Sequence, residues 1–298
     1  MEKISVKIDQ KELIANFWET GMENPRGIFY IHHGMAEHID RYNYFAEQLN
    51  SKGYHVVGHN HLGHGNNKEN GQGVFARSEG WKKVCYEAKV VCDHFNNLFP
   101  EIPSYLFGHS MGSFVSISTL KNIKNLDGVF LTGTFLPNKG QLFFLKILLL
   151  IEKVAFRINE NSKIHKINFQ RLNSVFKNTR TDFDWLANDT HVVDKYIDDP
   201  DCGFVCSNSL WLDFIYGCEM VLRESTYKNL NKNIKIFLAG GSEDPCISNG
   251  DGIDGLYHYF NKSFNNVRVK KFKEMRHEIQ NESCKDELLS SMNSCLNS

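Results

Sequence analysis

Nothing in this chain is both long and apolar enough to cross a bilayer as a helix. Such a span needs roughly 20 apolar residues in succession, whereas the greasiest stretch, Leu142–Ile151, is shorter, carries Lys146 and ends at Glu152-Lys153. Charge of one sign is missing as well. The 34 Lys and Arg residues nearly cancel the 35 Asp and Glu residues, leaving a net charge of −1. There is therefore no basic field for nucleic acid, and the basic residues around 268–273 alternate with apolar ones as in a strand. The eight cysteines contain no CxxC pair and no compact framework, and a chain of this size needs no disulfide staples. Met1-Glu2-Lys3-Ile4-Ser5 is polar and lacks the apolar core of a signal sequence. These absences predict reduced thiols and a cytoplasmic protein. No HExxH helix and no clustered carboxylates accompany the histidines, so neither a metal nor a cofactor is expected. Internal repeats and low-complexity tracts are absent too.

At 298 residues, the chain suits one large α/β domain with an insertion, burying about three quarters of its unfolded surface. A hairpin is expected over Ile4–Glu19, with strands at Gly27–Ile31, Tyr54–Gly58, from Ser104, at Gly128–Gly133, at Asn233–Gly240 and over Val267–Lys273. Helices are expected over about Arg41–Lys52 and Trp81–Leu98, the second with Val84, Ala88, Val91, Cys92 and Phe95 on one face. Strands that alternate with helices make a mostly parallel sheet. The alternation stops from Pro137 to near Asp213 and resumes at Asn233. Residues 137–213 are therefore expected to form a helical cap, with 1–136 and 214–298 as the two parts of the core.

The chemistry is signalled by Gly108-His109-Ser110-Met111-Gly112, which follows the apolar run Tyr105-Leu106-Phe107. GxSxG between a strand and a helix is the sequence form of a nucleophile elbow: the serine sits in a strained turn, and its neighbours two residues away must be small. The helix that follows points its first amides, Met111 among them, at any negative charge developing beside Ser110. A nucleophilic serine also needs a carboxylate and a histidine, in the chain order Ser, Asp, His for this architecture. Gly241-Ser242-Glu243-Asp244-Pro245 follows one strand and offers two carboxylates. Asp244 is preferred over Glu243 because its shorter side chain after a tight turn is held more rigidly, and Pro245 restricts its backbone. Glu274-Met275-Arg276-His277-Glu278 follows the last strand and makes His277 the base. In His32-His33-Gly34-Met35-Ala36-Glu37-His38, the glycine lets the backbone bend so that the Met35 amide becomes the second oxyanion donor, with the histidines orienting the loop by hydrogen bonds.

These segments, together with Gly63-His64-Gly65, resemble the monoacylglycerol lipase and lysophospholipase group of α/β-hydrolases, and also its serine aminopeptidase-like relatives. The similarity spans nearly the whole chain. It implies the α/β-hydrolase fold with a cap, Ser110 as nucleophile, Asp244 and His277 as its partners, and the Met35 and Met111 amides as oxyanion hole. The sequence departs from the group at Asn60-His61-Leu62, where an aspartate usually precedes the Gly-His-Gly segment. Cys246 matches the neighbourhood of a cysteine in some members and is a candidate pocket thiol. The expected reaction is hydrolysis of an acyl ester or lipid through an acyl-enzyme. Two alternatives stand beside it: an aminopeptidase-like amide hydrolase, and a non-catalytic binding module on the same fold. Two readings of Leu142–Ile151 also stand, a cap helix packed on its neighbours or one whose exposed face meets lipid aggregates, making transient contact with a membrane surface.

Overall fold

In the computed structural model, which describes residues 1–158 and 161–297, eight strands form one sheet in the order β1-β2-β4-β3-β5-β6-β7-β8. The antiparallel hairpin β1 (Glu2–Ile8) and β2 (Lys11–Trp18) joins the sheet through β4 (Tyr54–His59). From β4 the sheet is parallel through β3 (Gly27–His32), β5 (Ser104–His109), β6 (Leu126–Thr132), β7 (Lys235–Gly241) and β8 (Asn266–Phe272). The central strands read as unbroken apolar runs because both faces are covered. Phe29, Ile31, Phe107 and Phe130 pack towards α1 (Asn43–Ser51) and α9 (Lys285–Leu296). Their alternate neighbours Ile28, Tyr30, Leu106 and Val129 pack on the other face, with α2 (Gly80–Leu98) and α3 (Met111–Thr119). The predicted face of α2, Val84, Ala88, Val91, Cys92 and Phe95, is buried.

Between β6 and β7 the chain runs through α4 (Lys139–Ala155), α5 (Lys163–Asn173), α6 (Thr190–Asp198) and α7 (Asn208–Val221). The limit expected at 213 falls inside α7, which packs on α2 and α3 as well as on α4. Asn138 begins α4 by accepting from the amides of Gly140 and Gln141. Although α4 is apolar all round, only Leu149 and Glu152 are buried on it; Phe143, Phe144 and Val154 are each more than 60% exposed. The last helix before β8 is α8 (Asp251–Phe260). No helix among the described residues is long and apolar enough to cross a membrane.

Candidate active site

Parallel strands deliver their following loops to one edge of the sheet, and β3, β5, β7 and β8 each supply one part of the site. Ser110 follows β5 with φ 50° and ψ −121°, a sparsely populated conformation for any residue with a side chain. Its backbone is tied down on both sides: Ser110 N donates to Thr132 O at the end of β6 (2.9 Å), and Ser110 O accepts from Ser113 N (2.9 Å) and Ser113 Oγ (2.6 Å). The flanking glycines are required by contact. A Cβ on Gly108 would lie 2.5 Å from Ser116 Oγ and 2.6 Å from Gly112 O, and one on Gly112 would run into the carbonyls of His32 and His33.

Asp244 lies three residues past β7 and is fully buried. Its Oδ1 accepts from Cys246 N (2.8 Å), and its Oδ2 lies 2.8 Å from His277 Nδ1, which donates to it. The backbone amide of the competing Glu243 donates to Met275 O (2.9 Å). Burial alone would lower the pKa of His277, but the Asp244 carboxylate outweighs it and holds the imidazole well above the ordinary histidine value. The His277 ring packs against His109, the residue before Ser110 (centroids 4.7 Å), and against Trp185 from the inserted helical segment (5.0 Å). Cys246 sits beside the pair, its thiol pushed up by burial.

The loop after β3 approaches the elbow closely, since a Cβ on Gly34 would meet His109 Cδ2 at 3.2 Å. The amides on either side of Met35 are committed: Gly34 N donates to Glu37 Oε1 (2.5 Å) and Ala36 N to His64 Nε2 (3.2 Å). The carbonyl of Ala36 accepts from Tyr196 Oη (2.8 Å) and Gly203 N (2.9 Å). The loop is thus pinned around Met35, while Met111, as first residue of α3, has no acceptor for its amide within the helix. The histidines orient this region as their hydrogen bonds require. His32 Nδ1 pairs with Ser116 Oγ (2.8 Å), His33 Nδ1 donates to Gly34 O (2.8 Å), and His38 Nε2 meets Asp199 Oδ2 (2.7 Å). At the departure from the group pattern, Asn60 Oδ1 accepts from Ile39 N (2.9 Å), so this amide side chain braces the loop after β3.

One network has no sequence signal. Arg41 donates to both oxygens of Glu278 (2.7 and 2.6 Å) and to Glu37 Oε2 (2.6 Å), and Tyr42 Oη donates to Glu37 Oε1 (2.8 Å). Because Glu37 also holds Gly34 N and Glu278 follows His277, this buried cluster ties the Met35 loop to the histidine loop. Glu278 N donates to Leu186 O (2.8 Å), adding the inserted segment to the same assembly. Losing Arg41 would leave two buried carboxylates unpaired, the costly way to break an ion pair.

The comparisons agree with this architecture. A family model described as serine aminopeptidase, S33, matches residues 23–284. The monoglyceride lipase of Mus musculus is 26% identical over 219 residues, covering 70% of this chain and 62% of the relative. A monoglyceride lipase homolog of Monkeypox virus is 28% identical over 160 residues, 54% of this chain and 55% of its own. The chain thus spans less than two thirds of these curated relatives. A carboxyl esterase from Bacillus coagulans, solved in complex with glycerol, superposes with a TM-score of 0.87 at 21% identity, covering 99% of this chain and 97% of that one. That likeness shows the fold, an α/β-hydrolase.

Proposed function

The chain belongs to the serine aminopeptidase S33 family of α/β-hydrolases, and on that basis we propose that it is a serine carboxylic-ester hydrolase acting on monoacylglycerols or lysophospholipids. The observation that carries the reading is the buried Asp244–His277 hydrogen bond of 2.8 Å, set against the residue preceding a serine with positive φ. To these contacts the proposal adds one more, from Ser110 Oγ to His277 Nε2. His277 takes the hydroxyl proton as Ser110 attacks the acyl carbonyl, while Asp244 fixes the tautomer and stabilises the imidazolium. The amides of Met35 and Met111 hold the oxyanion, worth roughly 10²- to 10³-fold in rate for each donor. His277 then protonates the leaving alcohol, and water repeats the sequence on the acyl-enzyme.

Residues 137–213 act as the cap in this reading. A lipid substrate is supported by the names of the curated relatives and by the exposed apolar face of α4, which suits contact with an aggregate or membrane surface. The cleft of 540 Å³ between α4 and α7, lined by Leu142, Phe143, Ile147 and Leu222 with Lys146 and Arg223, includes none of the site residues and is not assigned to the acyl chain. The amide-cleaving reading is carried by the family's description alone. Purified protein assayed against monoacylglycerols of increasing length, lysophosphatidylcholine and aminoacyl amides separates the two. Ester turnover that rises with chain length is expected, at ~0.8 kcal/mol per buried methylene; a preference for the amides would overturn the lipid assignment.

The pH profile follows from His277. A general base must be neutral, and Asp244 holds this imidazole above its ordinary value of 6.5. Ester kcat/KM should therefore rise along a limb whose midpoint lies above that value. In Asp244→Asn the chief interaction opposing burial is gone, so the limb should move to lower pH as the rate falls. A midpoint that does not move would remove Asp244 from this role.

A further inference from the structure

Two sets of three ligand-type side chains converge among the described residues, with all ligating atoms of each within 4.8 Å of one another. One is Asp244, Cys246 and His277, already part of the active site. The other is His38, Asp199 and Cys202, which the proposed reaction does not use. We propose that His38, Asp199 and Cys202 form a binding site for a zinc-type divalent ion, which joins the segment after α6 to the loop that carries Met35.

The ligands arrive from two rigid pieces of backbone. Asp199 and Cys202 stand at the ends of one tight turn: Cys202 N donates to Asp199 O (3.0 Å), and Asp201 N donates to Asp199 Oδ1 (2.9 Å). That second bond occupies one carboxylate oxygen and leaves Oδ2, the atom facing His38 Nε2 at 2.7 Å. Gly203 closes the turn with φ +67° and donates its amide to Ala36 O (2.9 Å), fixing the turn against the loop from which His38 projects. The neighbouring cation Lys68 is engaged by Asp201 (2.7 Å), so it does not compete for Asp199.

The donor set selects the ion. Calcium and magnesium prefer all-oxygen shells, whereas one thiolate, one imidazole and one carboxylate suit zinc, with water completing a tetrahedron. Asp199 and the thiolate together neutralise the dication. On binding, the Cys202 thiol loses its proton to solvent, and His38 ligates through Nε2 with its ring proton on Nδ1. Burial opposes ionisation of this thiol and the Arg41 guanidinium favours it; the metal itself decides the outcome. His38 and Asp199 side chains are 13% and 31% exposed, which provides an entry path, while Cys202 is buried beneath them. The proposal stands whether or not the chain cleaves esters.

The test is metal binding to chelator-treated full-length protein. Co²⁺ should give a thiolate-to-cobalt charge-transfer band, and Zn²⁺ at one equivalent should abolish it by competition. Cys202→Ser should remove the band, and both Cys202→Ser and His38→Gln should weaken Zn²⁺ binding by at least about tenfold. Cys246→Ser should change neither. His38→Gln alters a partly exposed position and carries the test should Cys202→Ser fail to fold. Absence of any charge-transfer band, or a band lost in Cys246→Ser and kept in Cys202→Ser, would overturn the proposal.

Discussion

Ser110→Ala protein is expected to fold as the wild type does and to lose about 10⁴-fold or more of its ester turnover. The structural bonds of this residue belong to its backbone, to Thr132 O and from Ser113, and alanine keeps all of them. It also keeps the positive φ at the same cost. The substitution therefore removes the nucleophile and little else. Enzymes of this kind lose on the order of 10⁶-fold without the serine, the residual rate coming from the oxyanion hole and substrate binding. Unchanged melting with undiminished turnover would place the reaction at another site; a large fall in melting temperature would instead assign Ser110 a structural role.

Acid is expected to unfold the protein unusually early. His32, His33, His59 and His64 are fully buried, and burial lowers each from 6.5 to about 3. Hydrogen bonding points the same way for two of them. His33 Nδ1 donates to Gly34 O while its Nε2 accepts from His61 N (3.0 Å), and His64 Nδ1 donates to Leu62 O while its Nε2 accepts from Ala36 N. A second proton on either ring would set one N–H against another. The folded chain keeps these rings neutral while the unfolded chain protonates near 6.5, so stability falls as pH drops through that value towards 3. Each unfolded ring is half protonated at 6.5 and mostly protonated at 5.5, so each costs ~1 kcal/mol across that unit and the four together ~4 kcal/mol, a large share of the stability of an ordinary domain. His277, raised rather than lowered, is protonated in both states well below 6.5 and adds no slope there. Melting temperature measured from pH 7.5 to 5 should fall steeply below 6.5, and His64→Gln should flatten the fall by one ring's share, less than a quarter because buried His61, His109 and His165 are lowered too. A flat profile would contradict neutral burial of the cluster. Because His64 holds Ala36 N, loss of the cluster also releases the loop bearing Met35.

Much of the site was legible because its geometry restricts residue type locally. The elbow demands small residues at 108 and 112, and the contacts at both positions show why. Asp244 and His277 were picked from their places after successive strands, since a parallel sheet sends those loops to one edge, and the structure brings the two side chains within 2.8 Å. Other features depend on folding and leave no local trace. Arg41, Glu37 and Glu278 read as ordinary surface charges, and only the tertiary structure brings them together, with both carboxylates buried. His38 and Asp199 are 161 residues apart, so their pairing has no signature in spacing. The helix α4 illustrates the converse limit. A run that is apolar on every side reads equally as buried or as lipid-facing, and hydropathy cannot separate the two; most of this one is exposed. The cap limit at 213 was drawn near the end of the irregular stretch, twenty residues before the sheet pattern resumes at Asn233; α7 runs through it, one helix packing on both the inserted segment and the core.

The central claim is that Ser110 is made nucleophilic by the Asp244–His277 pair. Covalent labelling with a fluorophosphonate, read by mass mapping of the modified peptide, tests it most directly. The account predicts one adduct, on Ser110, formed slowly in His277→Gln and not at all in Ser110→Ala. An adduct on a different residue, or labelling of Ser110 that is indifferent to His277, would contradict it.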